Sequence, residues 1–76
     1  MTKEENETVI VHDYAREKVF FYTTRKGERR NLLKRIGKEN IEVNTTRDRS
    51  GDEIAWEFEI DMEYCRDAYM VTKVLN

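Results

Sequence analysis

Between Glu53 and Asp61 apolar and polar residues alternate without a break. Ile54, Trp56, Phe58 and Ile60 occupy one set of positions, and Ala55, Glu57, Glu59 and Asp61 the other. Side chains of a β-strand point alternately to its two faces, so this segment reads as a strand with one buried and one wet face. A chain with such a strand needs further strands beside it and a layer to cover its apolar side. Its 76 residues leave room for one core and one domain, 1–76. No apolar run approaches the roughly 18 residues of a membrane span, and no signal peptide stands at the start. The polar stretch 1–7 reads as a flexible lead-in.

The other elements follow from local composition. Thr8 to Tyr14 and Val19 to Thr24 are rich in β-branched and aromatic residues, and the short polar segment between them suits an antiparallel hairpin. From Arg25 to Asn40 the period changes. Leu32, Leu33 and Ile36 cluster at helical spacing, Thr24 offers an N-cap oxygen, Glu28 suits the first turn, and Gly37 belongs near the exit. Ile41 to Thr46 returns to alternation, and Arg47 to Asp52 is a turn. After Asp61 two patterns compete. Tyr64, Ala68, Val71 and Leu75 form a helical stripe, whereas Ala68 to Leu75 has strand propensity, so a helical turn over 62–67 leads into either a strand or a continued helix. The fold class is α+β: a small antiparallel sheet of two β-hairpins with one packed helix (ββαββ) plus that terminal element. The expected core is Val9, Val11, Phe21, Leu32, Leu33, Ile36, Val43, Ile54, Trp56, Phe58 and Ile60.

Charged residues make up 39% of the chain, against about 25% in an average domain. The net charge of −2 conceals a segregation. Residues 25–38 hold seven bases and one acid, a local +6, while 52–67 hold seven acids and one base, a local −6. Two sets of candidate binding residues result. An acidic row of Glu53, Glu57, Glu59, Asp61 and Glu63 imitates the regular negative charge of a phosphate backbone and would dock on a basic protein surface. Its alternative is a nucleic-acid contact through Arg29, Arg30, Lys34, Arg35 and Lys38, with Tyr14, Phe20 and Tyr22 stacking on bases if they lie on the open sheet face. The plainer account of both is solvated surface, and pairing of one set with the other would weaken both readings.

Chemistry of other kinds finds few residues. The single histidine, His12, and single cysteine, Cys65, cannot make up the roughly four ligands of a structural zinc site or a disulfide, and nothing in the sequence joins them as a nucleophilic pair. Glu57 and Glu59 would stand about 7 Å apart on one strand face, but acid–base catalysis needs a pocket that drives their pKa values apart. Gly27, Gly37 and Gly51 are isolated and form no phosphate-cradling loop. The expectation is a non-enzyme with no cofactor and no metal. A third possibility is a structural subunit, a homo-oligomer whose sheet pairs with copies of itself.

The order of Val9 to Tyr14, then Val19-Phe20-Phe21-Tyr22-Thr23-Thr24, the basic helix with its double leucine, and Ile54-Ala55-Trp56-Glu57-Phe58 resembles a class of small bacteriophage-encoded ββαββ proteins. The similarity spans about residues 8 to 61. Those proteins tend to close with Pro-Lys-Lys and a short basic strand, where this chain has Asp61-Met62-Glu63-Tyr64-Cys65-Arg66. The resemblance carries over no functional residues. It implies a setting: a phage-type protein in a bacterial cytoplasm that binds and modulates a host protein. The resulting expectation is an inhibitor of a nucleic-acid-handling defence enzyme, anti-CRISPR-like, acting through the acidic strand.

Overall fold

A computed structural model describes residues 7–74. The chain runs β1 (Thr8–Asp13), β2 (Lys18–Thr23), α1 (Lys26–Ile36), a 3-10 turn (Lys38–Asn40), β3 (Ile41–Arg47), β4 (Glu53–Asp61), a second 3-10 turn (Met62–Tyr64) and α2 (Cys65–Val74). The four strands form one antiparallel sheet in the order β1-β2-β4-β3. Both expected hairpins are present. β4 lies between β2 and β3, and its inward and outward residues alternate from Trp56 to Asp61. The lead-in expected over 1–7 lies outside the described residues except for Glu7, and Leu75 of the helical stripe lies outside them too.

Both helices lie over one face of the sheet. Leu32 and Ile36 of α1 and Ala68 and Val71 of α2 share a buried cluster with Val19, Phe21, Ile41, Trp56, Phe58 and Ile60. Phe21 and Phe58 sit opposite one another in the register and meet edge-to-face, with ring centroids 6.2 Å apart. Full burial of such a side chain contributes about 1.5–3 kcal/mol. The competition after Asp61 resolves as helix. Ala68 and Val71 are buried, and α2 packs along α1, which rewards the helical stripe over the strand propensity of the same residues.

Four expected core residues are instead exposed: Val9, Val11, Val43 and Ile54. The hairpin register sets Ile10 opposite Phe21, so Ile10 takes the inward place on β1 and Val9 and Val11 turn to the other face. Val43 faces inward opposite Phe58, but it stands on an edge strand that packs mainly against β4 and the preceding turn. Ile54 lies beside the bulge at Thr46/Arg47, where the ladder is irregular.

The helix start also differs from expectation. Arg25 occupies the N-cap position and its side chain makes no cap bond. Alternation turns the Thr24 hydroxyl away from the helix, where it accepts the Glu7 N–H at 2.9 Å. Thr23 faces inward, and its hydroxyl accepts the Arg25 N–H at 3.0 Å. At the other end Gly37 has φ 101° and its N–H reaches the Leu33 carbonyl at 2.9 Å, a left-handed exit that suits glycine.

The candidate docking face

The sheet face opposite the helices is uncovered among the described residues. The register assigns its occupants row by row. Val11, Phe20, Glu59 and Glu42 lie across the four strands in one row, and Val9, Tyr22, Glu57 and Asn44 in the next. The β1–β2 half of the face is therefore apolar, and the β4–β3 half is acidic. Val9 is 47% and Val11 51% exposed, beside the partly exposed rings of Phe20 and Tyr22. The Arg16 guanidinium lies 5.8 Å from the Phe20 ring centre.

The acidic row divides. Glu57 and Glu59 lie on the open face, where they are joined by Glu42 of β3. No cation lies within 4 Å of these three carboxylates among the described residues. Adjacent strands stand about 4.8 Å apart and alternate residues about 7 Å, so the three charges fall within one screening length, about 8 Å at physiological salt. Glu42 and Glu59 are directly opposite, an arrangement of like charges that destabilises a strand pair. Lys18 softens it. Its ammonium is bound to Asp61 at 2.7 Å, and that bond, followed by the charges of Asp61, Glu59 and Glu42, holds its pKa above the ordinary lysine value despite an opposing effect of burial. Asp61 is thereby engaged. Glu63 sits on the 3-10 turn beyond the strand.

Glu53 has left the row. Its Oε1 accepts the Trp56 Nε1–H at 3.1 Å and its Oε2 the Arg47 guanidinium at 3.0 Å, while Arg29 lies 5.4 Å above the indole ring. The Trp56 hydrogen bond, helped by Arg47 and Arg29, holds the Glu53 carboxyl below its ordinary pKa, although burial pushes it the other way more strongly than the charge of either arginine pulls it down. A carboxylate with a depressed folded pKa contributes stability above its unfolded value and loses it as pH falls through the folded one. Trp56 is the only tryptophan, so its emission reports the event. Fluorescence should show an acid transition with its midpoint below the ordinary glutamate value, and Glu53→Gln should abolish it. A transition that persists in the variant would remove Glu53 as its source.

The basic set lies on the opposite side of the molecule, and it too divides. Arg29 is spent on Trp56 and Arg35 on Asp67 at 3.2 Å, the one ion pair among the described residues that joins the two charged segments. Arg30, Lys34 and Lys38 are exposed, with no acid within 4 Å among the described residues. The acidic and basic sets therefore do not neutralise each other. Phe20 and Tyr22 do lie on the open face, but beside Glu57 and Glu59 rather than beside the cations, and Tyr14 is exposed in the β1–β2 turn.

One residue of the basic segment is not a surface group at all. Glu28 is 1% exposed, and its Oε1 accepts hydrogen bonds from the Thr8 hydroxyl and, at 2.8 Å, from the Thr23 hydroxyl. Arg25 stands 3.5 Å from Oε2. The signal for it was present in the sequence as the lone acid among seven bases. Elsewhere, His12 is exposed on β1 and Cys65 packs against the core at the start of α2, with no hydrogen bond between them. No group of three or more metal-ligating side chains comes together among the described residues, and none of their helices is long and apolar enough to cross a membrane.

No family model matches the chain, and no curated protein or solved structure is significantly similar to it.

Proposed function

We propose that this chain is a docking protein that works by binding rather than catalysis, seating its open sheet face on a basic groove of a partner protein. The observation that carries the reading is the pairing of Glu42, Glu57 and Glu59, which have no cation within 4 Å among the described residues, with an apolar quartet, the exposed Val9 and Val11 and the half-buried Phe20 and Tyr22. Apolar contact supplies affinity there, and the carboxylates supply steering and orientation. A groove that accepts closely spaced negative charge is of the kind that binds nucleic acid, so the chain would act by occupying it. The resemblance to phage-encoded proteins implies a host defence enzyme as that partner, in an anti-CRISPR-like role within a bacterial cytoplasm.

The competing reading is direct nucleic-acid binding through α1. In its favour stand Arg30, Lys34 and Lys38, exposed and with no acid within 4 Å among the described residues. Against it stand the engagement of Arg29 and Arg35 and the placement of the aromatic rings beside acids. Three phosphate contacts would give a salt slope of only about −2.7 on duplex DNA. Fluorescence anisotropy of labelled duplex DNA and single-stranded RNA across a salt series decides between the two. The docking reading expects no micromolar binding at about 0.15 M salt. Micromolar binding that falls with salt and disappears in Arg30→Ala/Lys34→Ala would overturn it.

A further inference from the structure

The outer edge of β1 differs from that of β3 in a way the docking face does not explain. Thr24 N–H donates to the Glu7 carbonyl at 3.0 Å, so residues 7 and 24 are a hydrogen-bonded pair. Such pairs recur every second residue in an antiparallel ladder, which directs Val9, Val11 and Asp13 at β2. The backbone groups of Thr8, Ile10 and His12 then point outward, where no strand meets them among the described residues. The stretch Thr8-Val9-Ile10-Val11-His12 contains no acidic or basic residue besides the histidine, no proline and no bulge. Edge strands of soluble proteins are ordinarily blunted by such devices. The other edge has them: Glu42 and Arg47 lie within β3, and a bulge interrupts it at Thr46/Arg47.

We propose that β1 pairs antiparallel with β1 of a second copy, about a two-fold axis through Ile10. That register is the one in which all the outward groups of Thr8, Ile10 and His12 find partners, residue 8 facing 12 and residue 10 facing its own copy. On the open face Val9 meets Val11 of the second copy, and on the helix-covered side Ile10 meets Ile10. Neutral apolar surface is thus matched with neutral apolar surface, while the acidic halves stay far from the axis. At the rims Glu7 approaches Asp13 of the second copy, and Arg16, 3.9 Å from the Asp13 carboxylate, offsets the repulsion. The product is an eight-stranded sheet. Its open face carries both apolar quartets at the centre and an acidic wing on each side. The pairing is independent of the docking reading, since no partner protein enters it.

A single strand pair buries little area, so the dimer is weak, with a dissociation constant on the order of 100 μM. Sedimentation equilibrium between about 5 μM and 1 mM is expected to show the mass rising from 9.2 kDa toward twice that value. His12→Pro removes an outward N–H and leaves the β1–β2 ladder intact, a position where edge strands accept proline. The variant should remain at the mass of one chain throughout. Amide exchange on the unaltered chain provides a check that needs no variant. At about 1 mM, where about a fifth of the chain stays monomeric at that dissociation constant, the Thr8, Ile10 and His12 amides should slow by about fivefold, while the outward amides of Val43 and Thr45 stay fast. A chain that stays monomeric to 1 mM overturns the proposal, and so does a dimer whose protected amides lie on β3 or the helices.

Discussion

Glu28→Ala is expected to lower the unfolding free energy by about 3 kcal/mol. For 76 residues the whole margin is roughly 4–11 kcal/mol, so the variant sits near the limit of folding. The loss has several sources. Glu28 accepts from Thr8 of β1 and Thr23 of β2 and stands beside Arg25, so one carboxylate ties the first hairpin to the start of α1. Hydrogen bonds to a charged group are worth about 1.5–3 kcal/mol each, and alanine would strand the Thr23 hydroxyl without its acceptor in a buried place. The first turn of a helix also favours negative charge. Relief of the desolvation cost of a buried carboxylate works in the other direction and keeps the net below the sum of those losses. With a urea slope near 1 kcal/mol/M, the midpoint should fall by about 3 M at unchanged slope. Glu28→Gln keeps the shape but turns a donor toward Arg25, and should fall between. A shift below about 1 M for alanine would mean that the threonines find other acceptors.

Charge reversal at Glu57→Lys/Glu59→Lys should have the opposite profile: full loss of partner binding with the fold preserved. Both side chains lie on the open face, away from the core cluster. Lysine at 59 would face Glu42 across the ladder and replace a repulsion with an attraction, an effect of about 0.2–1 kcal/mol in favour of the folded state. The urea midpoint should therefore hold or rise slightly. Binding is another matter. Like charges brought together at an interface cost several kcal/mol, enough for a hundredfold or greater loss of affinity. Binding that survives the double reversal would contradict the docking reading, whatever the change in stability.

Much of the architecture could be read in advance because its signals are local and strong. The 53–61 alternation, the β-branched runs of β1 and β2, and the helical cluster at Leu32, Leu33 and Ile36 each name an element without help from the rest of the chain. What the sequence could not supply is phase. Val9, Ile10 and Val11 put apolar side chains on both sides of β1, so only the pairing of Ile10 with Phe21 decides that Val9 and Val11 face outward. That choice turns two expected core residues into half of the apolar quartet on the open face. The acidic row was visible, but its regular spacing concealed separate fates: Glu53 bends to Trp56, Asp61 binds Lys18, and Glu42 joins from another strand. Cross-strand neighbours depend on register, which no spacing along one strand reveals. Glu28 shows the same limit. Its burial needs Thr8 and Thr23, 20 and 5 residues away, to converge on it.

The central claim is that the acidic and apolar sheet face binds protein. Its most direct test immobilises the chain and, in parallel, its Glu57→Lys/Glu59→Lys variant, and passes over both a bacterial lysate freed of nucleic acid by nuclease. The account predicts a basic protein retained by the unaltered chain, released by added duplex DNA competing for the same groove, and missing from the variant. Equal retention by the two forms, or a bound protein that duplex DNA does not displace, would contradict it.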